Sequence, residues 1–507
     1  MALQPTFSSL VPREWNNGLS SLVYLDNLVP LGLTITKMKK LLFTLSLVLV
    51  AIAAWAITEQ EAVDAYAARK GMRHASAGVV VIDIDSNKVI AGNLQDQAII
   101  TASTMKTVTS IAALETLGGN YRFKTRVYLQ GDVKGDTLMG RVLIVGGGDP
   151  TLGSHYIKGN PNIVNEIVDA VKQHGISCIM GSVATDESLY PYPPYSIHWD
   201  VGDLAWDYGA GVHALNFADN VMKVKFNVDK WGRFSPFRLS PNVTGVKVIN
   251  RMNYCAKGEN IDFALEYGNP GLVLMGDVCP GSYNLTASNP SPAVLLADSV
   301  AHSLTRAGIR LIEGDDLKAV ESGSKELLLT HESVELTDIV ESLLDRSDNM
   351  FTHALLRAVA IRNGWRSGSI DKAGVDGAKR VLKSLNIDTD ALFMRDGSGL
   401  ARAGKASPYL LASMLSAVVD KEYNGKRLCD LMPKAGNRVG NVLGNHRLAK
   451  QIVLKSGSMT DVQCYVGYYP ADKPRYAFAL LANNYTCSRA DLRAHMSHLL
   501  IDLFGDK

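Results

Sequence analysis

Along the chain, the first strong pattern is an apolar run over residues 41–54, preceded by Lys37-Met38-Lys39-Lys40. Residues 77–85 then read as a buried strand, Ser86-Asn87-Lys88 as a turn and residues 89–92 as the returning strand. Val108, Ile111, Ala112 and Leu114 recur at helical spacing behind Thr101-Ala102-Ser103-Thr104-Met105-Lys106, and Gly118-Gly119 ends that helix. From about residue 120 to 290 the texture changes to short β-like runs, such as 141–145 and 221–226, separated by Gly, Pro and Asn turns. Helical periodicity returns over 294–307 and again around 337–362. Residues 452–458 read as a strand, and 464–469 with 476–481 as a hairpin joined by 470–474. There is no internal repeat and no low-complexity tract. The pattern predicts an α/β core, in two parts at 57–118 and 291–507, interrupted by inserted β-rich domains at 119–290.

Length agrees with that division, because 507 residues exceed what one simple core organises. The charges nearly cancel, 52 Lys and Arg against 50 Asp and Glu, so nothing electrostatic points to a nucleic-acid partner. The N-terminal pattern changes the picture more. A basic stretch, an apolar run and Ala54-Trp55-Ala56 stand in the order of a secretory signal, here residues 38–56. The alternative is a retained anchor, since the run reaches about 17 residues through Ile57, the lower edge of what spans a bilayer. Signals begin near the true start, so translation is expected to begin at Met38, with residues 1–37 an upstream extension. The expected location is the bacterial periplasm or cell envelope, with loose membrane association left open. Six cysteines (Cys178, Cys255, Cys279, Cys429, Cys464, Cys487) follow the signal. Their spacings match no zinc pattern. Cys255 and Cys279 flank a strand-like stretch and are the first pair to test for a disulfide, with buried free thiols as the alternative.

Three short motifs carry chemistry. Ser103-Thr104-Met105-Lys106 is Ser-x-x-Lys, Ser347-Asp348-Asn349 is Ser-x-Asn, and Lys455-Ser456-Gly457 is a variant of Lys-Thr-Gly. Each half-motif has decoys. Ser-x-x-Lys recurs at Ser322 to Lys325, expected in a polar turn, and at Ser369 to Lys372, expected in a Gly-rich loop. Ser-x-Asn recurs at Ser240, Ser282 and Ser384. Only the Ser103 copy is expected to open an apolar-periodic helix, and Lys-Ser-Gly occurs once. Gly146-Gly147-Gly148-Asp149 lacks the Gly-Lys-Ser/Thr of a phosphate loop, and Gly397-Ser398-Gly399 lacks the spacing of a nucleophile elbow.

On a helix, positions three apart share a face, so Lys106 can hydrogen-bond Ser103. A serine hydroxyl attacks only once a base takes its proton. Lysine titrates near ~10.4 in water, so Lys106 must be desolvated and crowded by charge, which Lys455 could supply. A serine at a helix start also faces free backbone N–H groups, the donors a tetrahedral oxyanion needs. Ser347 could pass a proton between Lys106 and a leaving amine while Asn349 holds a substrate amide. The strand carrying Lys455, Ser456, Gly457 and Ser458 could pair with an extended peptide and bind its carboxylate, Gly457 allowing close approach. The backbone N–H groups of Ser458 and Ser103 would form the oxyanion hole.

Together these motifs resemble the active-site set of β-lactamases and penicillin-binding proteins. The 244 positions from Ser103 to Ser347 exceed one compact penicillin-recognising domain. In this the chain resembles the low-molecular-mass class C penicillin-binding proteins, D-alanyl-D-alanine carboxypeptidase/endopeptidases with domains inserted between the first two motifs. Gly146 to Leu152, Ser347 to Met350 and Asp396 to Arg402 support the resemblance. It implies an α/β (α+β) penicillin-recognising serine transpeptidase/β-lactamase-like core and a serine peptidase acting on peptidoglycan stem peptides. It implies β-lactam binding, no cofactor and no metal, and it leaves the oligomeric state open. It also implies a pocket for the stem-peptide side chain, with Arg402 and Asp186 as candidates. Lys-Ser-Gly-Ser keeps both hydroxyls of the commoner Lys-Thr-Gly-Thr. Thr352-His353 departs from a usual Ala-Glu, and His353 is expected to pack rather than react. The competing readings are a β-lactamase, against which the long insertion argues, and a catalytically silent peptidoglycan-binding protein, which would lack a motif residue.

Overall fold

The computed structural model describes residues 58–266, 268–312, 324–437 and 440–505; the expected extension and signal, residues 1–56, lie outside the described residues. The chain opens with helix α1 (Glu59–Ala67), antiparallel strands β1 (Ser76–Asp83) and β2 (Lys88–Asn93), and helix α2 (Met105–Leu117). It then enters the insertion: β3 (Lys124–Lys134), β4 (Thr137–Val145), α3 (Ile163–Gln173), β5 (Cys178–Asp186), and six short strands. These are β6 (Val221–Val228), β7 (Arg238–Ser240), β8 (Lys247–Tyr254), β9 (Asn260–Leu265), β10 (Gly271–Val278) and β11 (Gly281–Ser288). Helix α4 (Pro292–Arg306), β12 (Arg310–Ile312) and β13 (Lys325–Glu332) follow, then helices α5 (Leu336–Arg346), α6 (Asn349–Arg362), α7 (Ile370–Ser384) and α8 (Pro408–Ala417). The chain ends with β14 (Val453–Met459), β15 (Val462–Tyr469), β16 (Tyr476–Asn483) and α9 (Arg489–Phe504).

The core sheet runs β14-β15-β16-β1-β2, all antiparallel. Its two faces explain why β1 reads as an unbroken apolar run. Val79 and Val81 pack with Val63 and Tyr66 of α1 and Leu499 of α9, whereas Val80 and Ile82 join Val108 of α2 and Leu355 of α6. Alternate side chains point to opposite faces, and here both faces are covered by helices. This sandwich sets the turn that leads into α2 against β14, where Gly457 meets the backbone of Ser103.

The insertion contains a five-stranded sheet, β12-β5-β4-β3-β13, and two three-stranded sheets, β9-β10-β8 and β11-β6-β7. Strand β13 pairs with β3 from Lys325↔Gln130 to Glu332↔Lys124, so the inserted sheet closes where it opened. Leu295, Leu296, Val300 and Leu304 of α4 belong to the insertion's own apolar core. The return to the core, expected at residue 291, therefore comes after Glu332. Helical periodicity identified α4 but carried no information on which core its apolar stripe would join. The sulfurs of Cys255 and Cys279, the pair singled out above, lie 3.3 Å apart at one end of the β8–β10 sheet.

Candidate active site

Ser103 sits in a 3₁₀ turn, Ala102–Thr104, that leads directly into α2. The residue before it, Ala102, has φ of +45°, a setting that costs a residue with a Cβ and persists only where its surroundings enforce it. Gly399 helps enforce it, since a Cβ there would collide with the Ala102 carbonyl. No side chain caps either the turn or α2. The Ser103 hydroxyl is thus not committed to the helix end and instead accepts from Lys106 Nζ at 2.9 Å.

Lys106 is fully buried. Its Nζ also donates to Asn349 Oδ1 at 2.5 Å and to the Ser398 carbonyl at 2.8 Å. Burial pushes the amine down to about 7, against the pull of Asp396 and Asp348. Near neutral pH a large share of Lys106 is therefore the free amine that a general base must be. Lys455, buried on β14, donates to Ser347 Oγ at 2.9 Å and to the Ser456 carbonyl at 2.7 Å. Burial first, and the charge of Lys106 second, hold Lys455 well below the usual lysine range. Crowding by Lys455 was expected to lower Lys106; burial lowers Lys106 instead, and the crowding acts in the other direction, on Lys455.

The Ser-x-Asn motif occupies a helix break. Ser347 ends α5 in the left-handed region, φ 62° and ψ 39°, and Asp348 caps α6 by accepting from Phe351 N at 2.9 Å. The reversal presents Ser347 to Lys455, not to Lys106, and presents Asn349 to Lys106. Asn349 Nδ2 donates to the Tyr208 carbonyl at 2.8 Å, so part of the amide expected to hold substrate instead ties Lys106 to the insertion. Gly457 lies against the nucleophile turn. A Cβ there would stand 2.8 Å from both Ser103 N and the Thr101 carbonyl, which is why this strand position has no side chain.

Ser103, Ser347, Asn349, Ser456 and Ser458 line one cleft of about 410 Å³ together with Arg402, Asp203 and Tyr208, and the buried lysines meet it through Ser103, Asn349 and Ser347. Ser458 is exposed, on the outermost strand of its sheet. Asp203 accepts from Tyr208 Oη at 3.0 Å; burial raises its carboxyl, while Tyr208 and Arg402 pull it down. Asp186 does not line this cleft. It ends β5 and accepts from Ser188 N at 2.9 Å, a turn contact within the insertion. His353 is buried, with Nε2 3.2 Å from Asp371 and its ring against Trp199, the packing role expected of it. Sequence reasoning missed Asp203 and Tyr208, which belong to an irregular aromatic and acidic stretch with no motif. It also gave no role to Asp396 and Ser398, although their segment was noted. Among the described residues, no cluster of three or more His, Cys, Asp or Glu side chains could hold a metal ion, and no helix is long and apolar enough to cross a membrane.

Comparison with known proteins places the chain among named relatives. The D-alanyl-D-alanine carboxypeptidase of Actinomadura sp. (strain R39) is 24% identical over 447 residues, 84% of this chain and 81% of that protein. The D-alanyl-D-alanine carboxypeptidase DacB of Haemophilus influenzae is 24% identical over 428 residues, 81% of this chain and 86% of that protein. The crystal structure of penicillin-binding protein 4 from H. influenzae superposes with a TM-score of 0.72 at 22% identity, covering 88% of this chain and 98% of that one. Its complex with a β-lactam superposes with a TM-score of 0.69. The fold is therefore the penicillin-recognising one. The D-Ala-D-Ala carboxypeptidase 3 (S13) family profile matches residues 59–502, so the chain belongs to that family, whose serine-type carboxypeptidase activity is the one its three motifs led us to expect.

Proposed function

We propose that Ser103 is the nucleophile of a D-Ala-D-Ala carboxypeptidase acting on peptidoglycan stem peptides, exported to the bacterial cell envelope by residues 38–56. The observation that carries this is the pairing of Ser103 with a buried Lys106 at 2.9 Å, facing Ser347 and Lys455 across one cleft. Neutral Lys106 takes the Ser103 proton as Oγ attacks the penultimate D-Ala carbonyl. The oxyanion is received by the backbone N–H groups of Ser103 and Ser458. Proton delivery to the departing nitrogen falls to the Lys455–Ser347 pair, so the C–N bond breaks, D-Ala leaves and an acyl-Ser103 ester remains. That pair regains its proton from Lys106, and water then attacks the ester, its proton taken by the now neutral Lys106 and passed to Ser103 Oγ as the shortened stem is released. A cross-linked stem in the same cleft would be cut by the same steps, which is endopeptidase activity. Ser456, Gly457 and Ser458 hold the terminal carboxylate and the extended peptide along β14. Arg402 and Asp203, opposite charges that interact on the cleft wall, suit a side chain bearing both an amine and a carboxylate; in this role Asp203 replaces Asp186.

β-Lactams imitate the D-Ala-D-Ala end and should acylate Ser103. Intact mass after incubation with benzylpenicillin tests this. A stable adduct that vanishes in Ser103→Ala is the expected result. Rapid drug turnover would mark a β-lactamase, and no adduct would point to a silent binding protein. Digestion of purified muropeptides, read by mass, then separates loss of D-Ala from cleavage of cross-links.

A further inference from the structure

Asp396 is fully buried and takes part in no step above. Its Oδ2 accepts from Trp199 Nε1 at 2.7 Å, from Ser398 Oγ at 2.7 Å and from Leu400 N at 3.1 Å, while Oδ1 accepts from Gly399 N at 3.0 Å. Three of these partners can only donate and the Ser398 hydroxyl donates as well, so a carboxylate here has every contact filled by a donor. The loop these bonds close delivers the Ser398 carbonyl to Lys106 Nζ at 2.8 Å. Trp199 belongs to the insertion, so the inserted chain holds the loop under the catalytic base by this hydrogen bond, as it holds Asn349 through the Tyr208 carbonyl.

A buried lysine beside a second buried lysine faces the opposite hazard from an exposed one. Burial and repulsion can drive its amine so low that it becomes too weak a base to take a serine proton. A nearby negative charge works against that. Among the charges acting on Lys106, Asp396 is the largest, ahead of Asp348. Lys455 faces the same site from β14. Behind the loop, His353 Nδ1 accepts from Gly397 N at 3.3 Å, with Asp371 and Arg357 beyond it, and Arg395 precedes Asp396 in the chain.

We propose that Asp396 is a positioning residue for catalysis, locking the 396–400 loop under Lys106 and supplying the counter-charge that keeps this base strong enough to act. The inference rests on Lys106 as the base in the function proposed above. It also gives the insertion, through Trp199, a part in tuning the reaction and not only in lining the cleft.

The test is the acylation rate of the full protein by a chromogenic cephalosporin between pH 4.5 and 9, with thermal melting run alongside. In the wild type the rate should fall about tenfold per pH unit on the acid side, as Lys106 takes a proton. Removing the negative charge in Asp396→Asn should let Lys106 lose its proton more readily and move that limb down by about one pH unit. The rate at pH 5.5, relative to the plateau, should then rise about tenfold. The plateau itself should drop, because an amide cannot accept from all four donors. Trp199→Phe keeps the ring against His353 and the charge on Asp396, so it should lower the plateau severalfold and leave the limb in place. A folded Asp396→Asn with an unmoved limb overturns the counter-charge role, and an unchanged plateau in Trp199→Phe overturns the loop-locking role. A purely structural Asp396 would lower the melting temperature without shifting the limb. Failure of the wild type to acylate at Ser103 would sink the function proposed above, and this inference with it, and is a distinct result.

Discussion

Among the described residues, two Ser-x-x-Lys segments begin helices, and only one is built for chemistry. Ser369 caps α7 by accepting from Lys372 N at 3.2 Å, and Lys372 reaches outward to Asp376 at 2.7 Å with three quarters of its side chain exposed. Ser103 caps nothing, and its lysine is buried against Asn349 and the Ser398 carbonyl. The sequence expectation that only Ser103 opens an apolar-periodic helix is therefore corrected, since Ile370, Val375, Ala378 and Leu382 of α7 are also buried. The difference lies in what occupies the serine hydroxyl and where the lysine ends. A capping hydroxyl is committed to a backbone N–H. One moved into a 3₁₀ turn ahead of the helix remains available to a base.

The largest effects should separate the two lysines. Lys106→Met removes the base and should lower acylation by benzylpenicillin about 10²–10⁴-fold, the usual worth of a positioned general base. Lys372→Met should leave acylation unchanged and alter stability by at most about 0.5 kcal/mol, since its ion pair is exposed. Stopped-flow acylation and urea melts read both. The pH dependence belongs to the same contrast. With the Lys106 amine held near 7 by burial, acylation should fall as pH drops below 7, because protonation removes the base. Lys372 can produce no such limb.

Two glycines sharpen the comparison at a smaller scale. Gly457 lets β14 lie against the Ser103 turn, whereas Gly374 lets α7 lie against α6, where a Cβ would meet the Leu356 carbonyl at 2.5 Å. Gly457→Ala should push the strand from the nucleophile and lower acylation about 10–10²-fold, the order expected when reacting groups shift by about an ångström. Gly374→Ala should cost about 1–3 kcal/mol by overpacking two helices, with acylation by the folded fraction intact. Comparable rate losses in the two variants would mean that the site responds to general loosening and that β14 has no special claim on Ser103.

What the sequence made legible follows from how locally each feature is encoded. The β1–β2 pair, the 462–483 hairpin and the Lys455 strand carry their own period and turns, and all form close to where expected. Ser369 to Lys372, expected in a Gly-rich loop, instead open α7, whose Gly374 and Gly377 weaken its local helical signal. Their reason is tertiary, the close approach of Leu356 and Val359 on α6. The five motif residues could be picked out because their order matched a known set; Ser103, Ser347 and Asn349 line one cleft, and the two buried lysines bond to them. Asp203, Tyr208 and Asp396 could not be found that way. Their roles come from an irregular insertion loop and a buried turn, whose placement no period or spacing records.

The two serines give the most discriminating pair of variants. Ser369→Ala deletes an N-cap and should cost about 1 kcal/mol, seen as a modest fall in the urea midpoint, with the acylation rate and its acid limb unchanged. Ser103→Ala should do the reverse, leaving the midpoint nearly where it was because no cap is lost, while the adduct disappears. A large stability loss in Ser103→Ala would show that its hydroxyl supports the helix start after all. The idea that the catalytic serine is distinguished by freedom from capping would then fail, even with the chemistry assigned correctly. A slower acylation in Ser369→Ala would instead show that α7 transmits strain through α6 to Asn349, joining two helix starts that the hydrogen bonds keep apart.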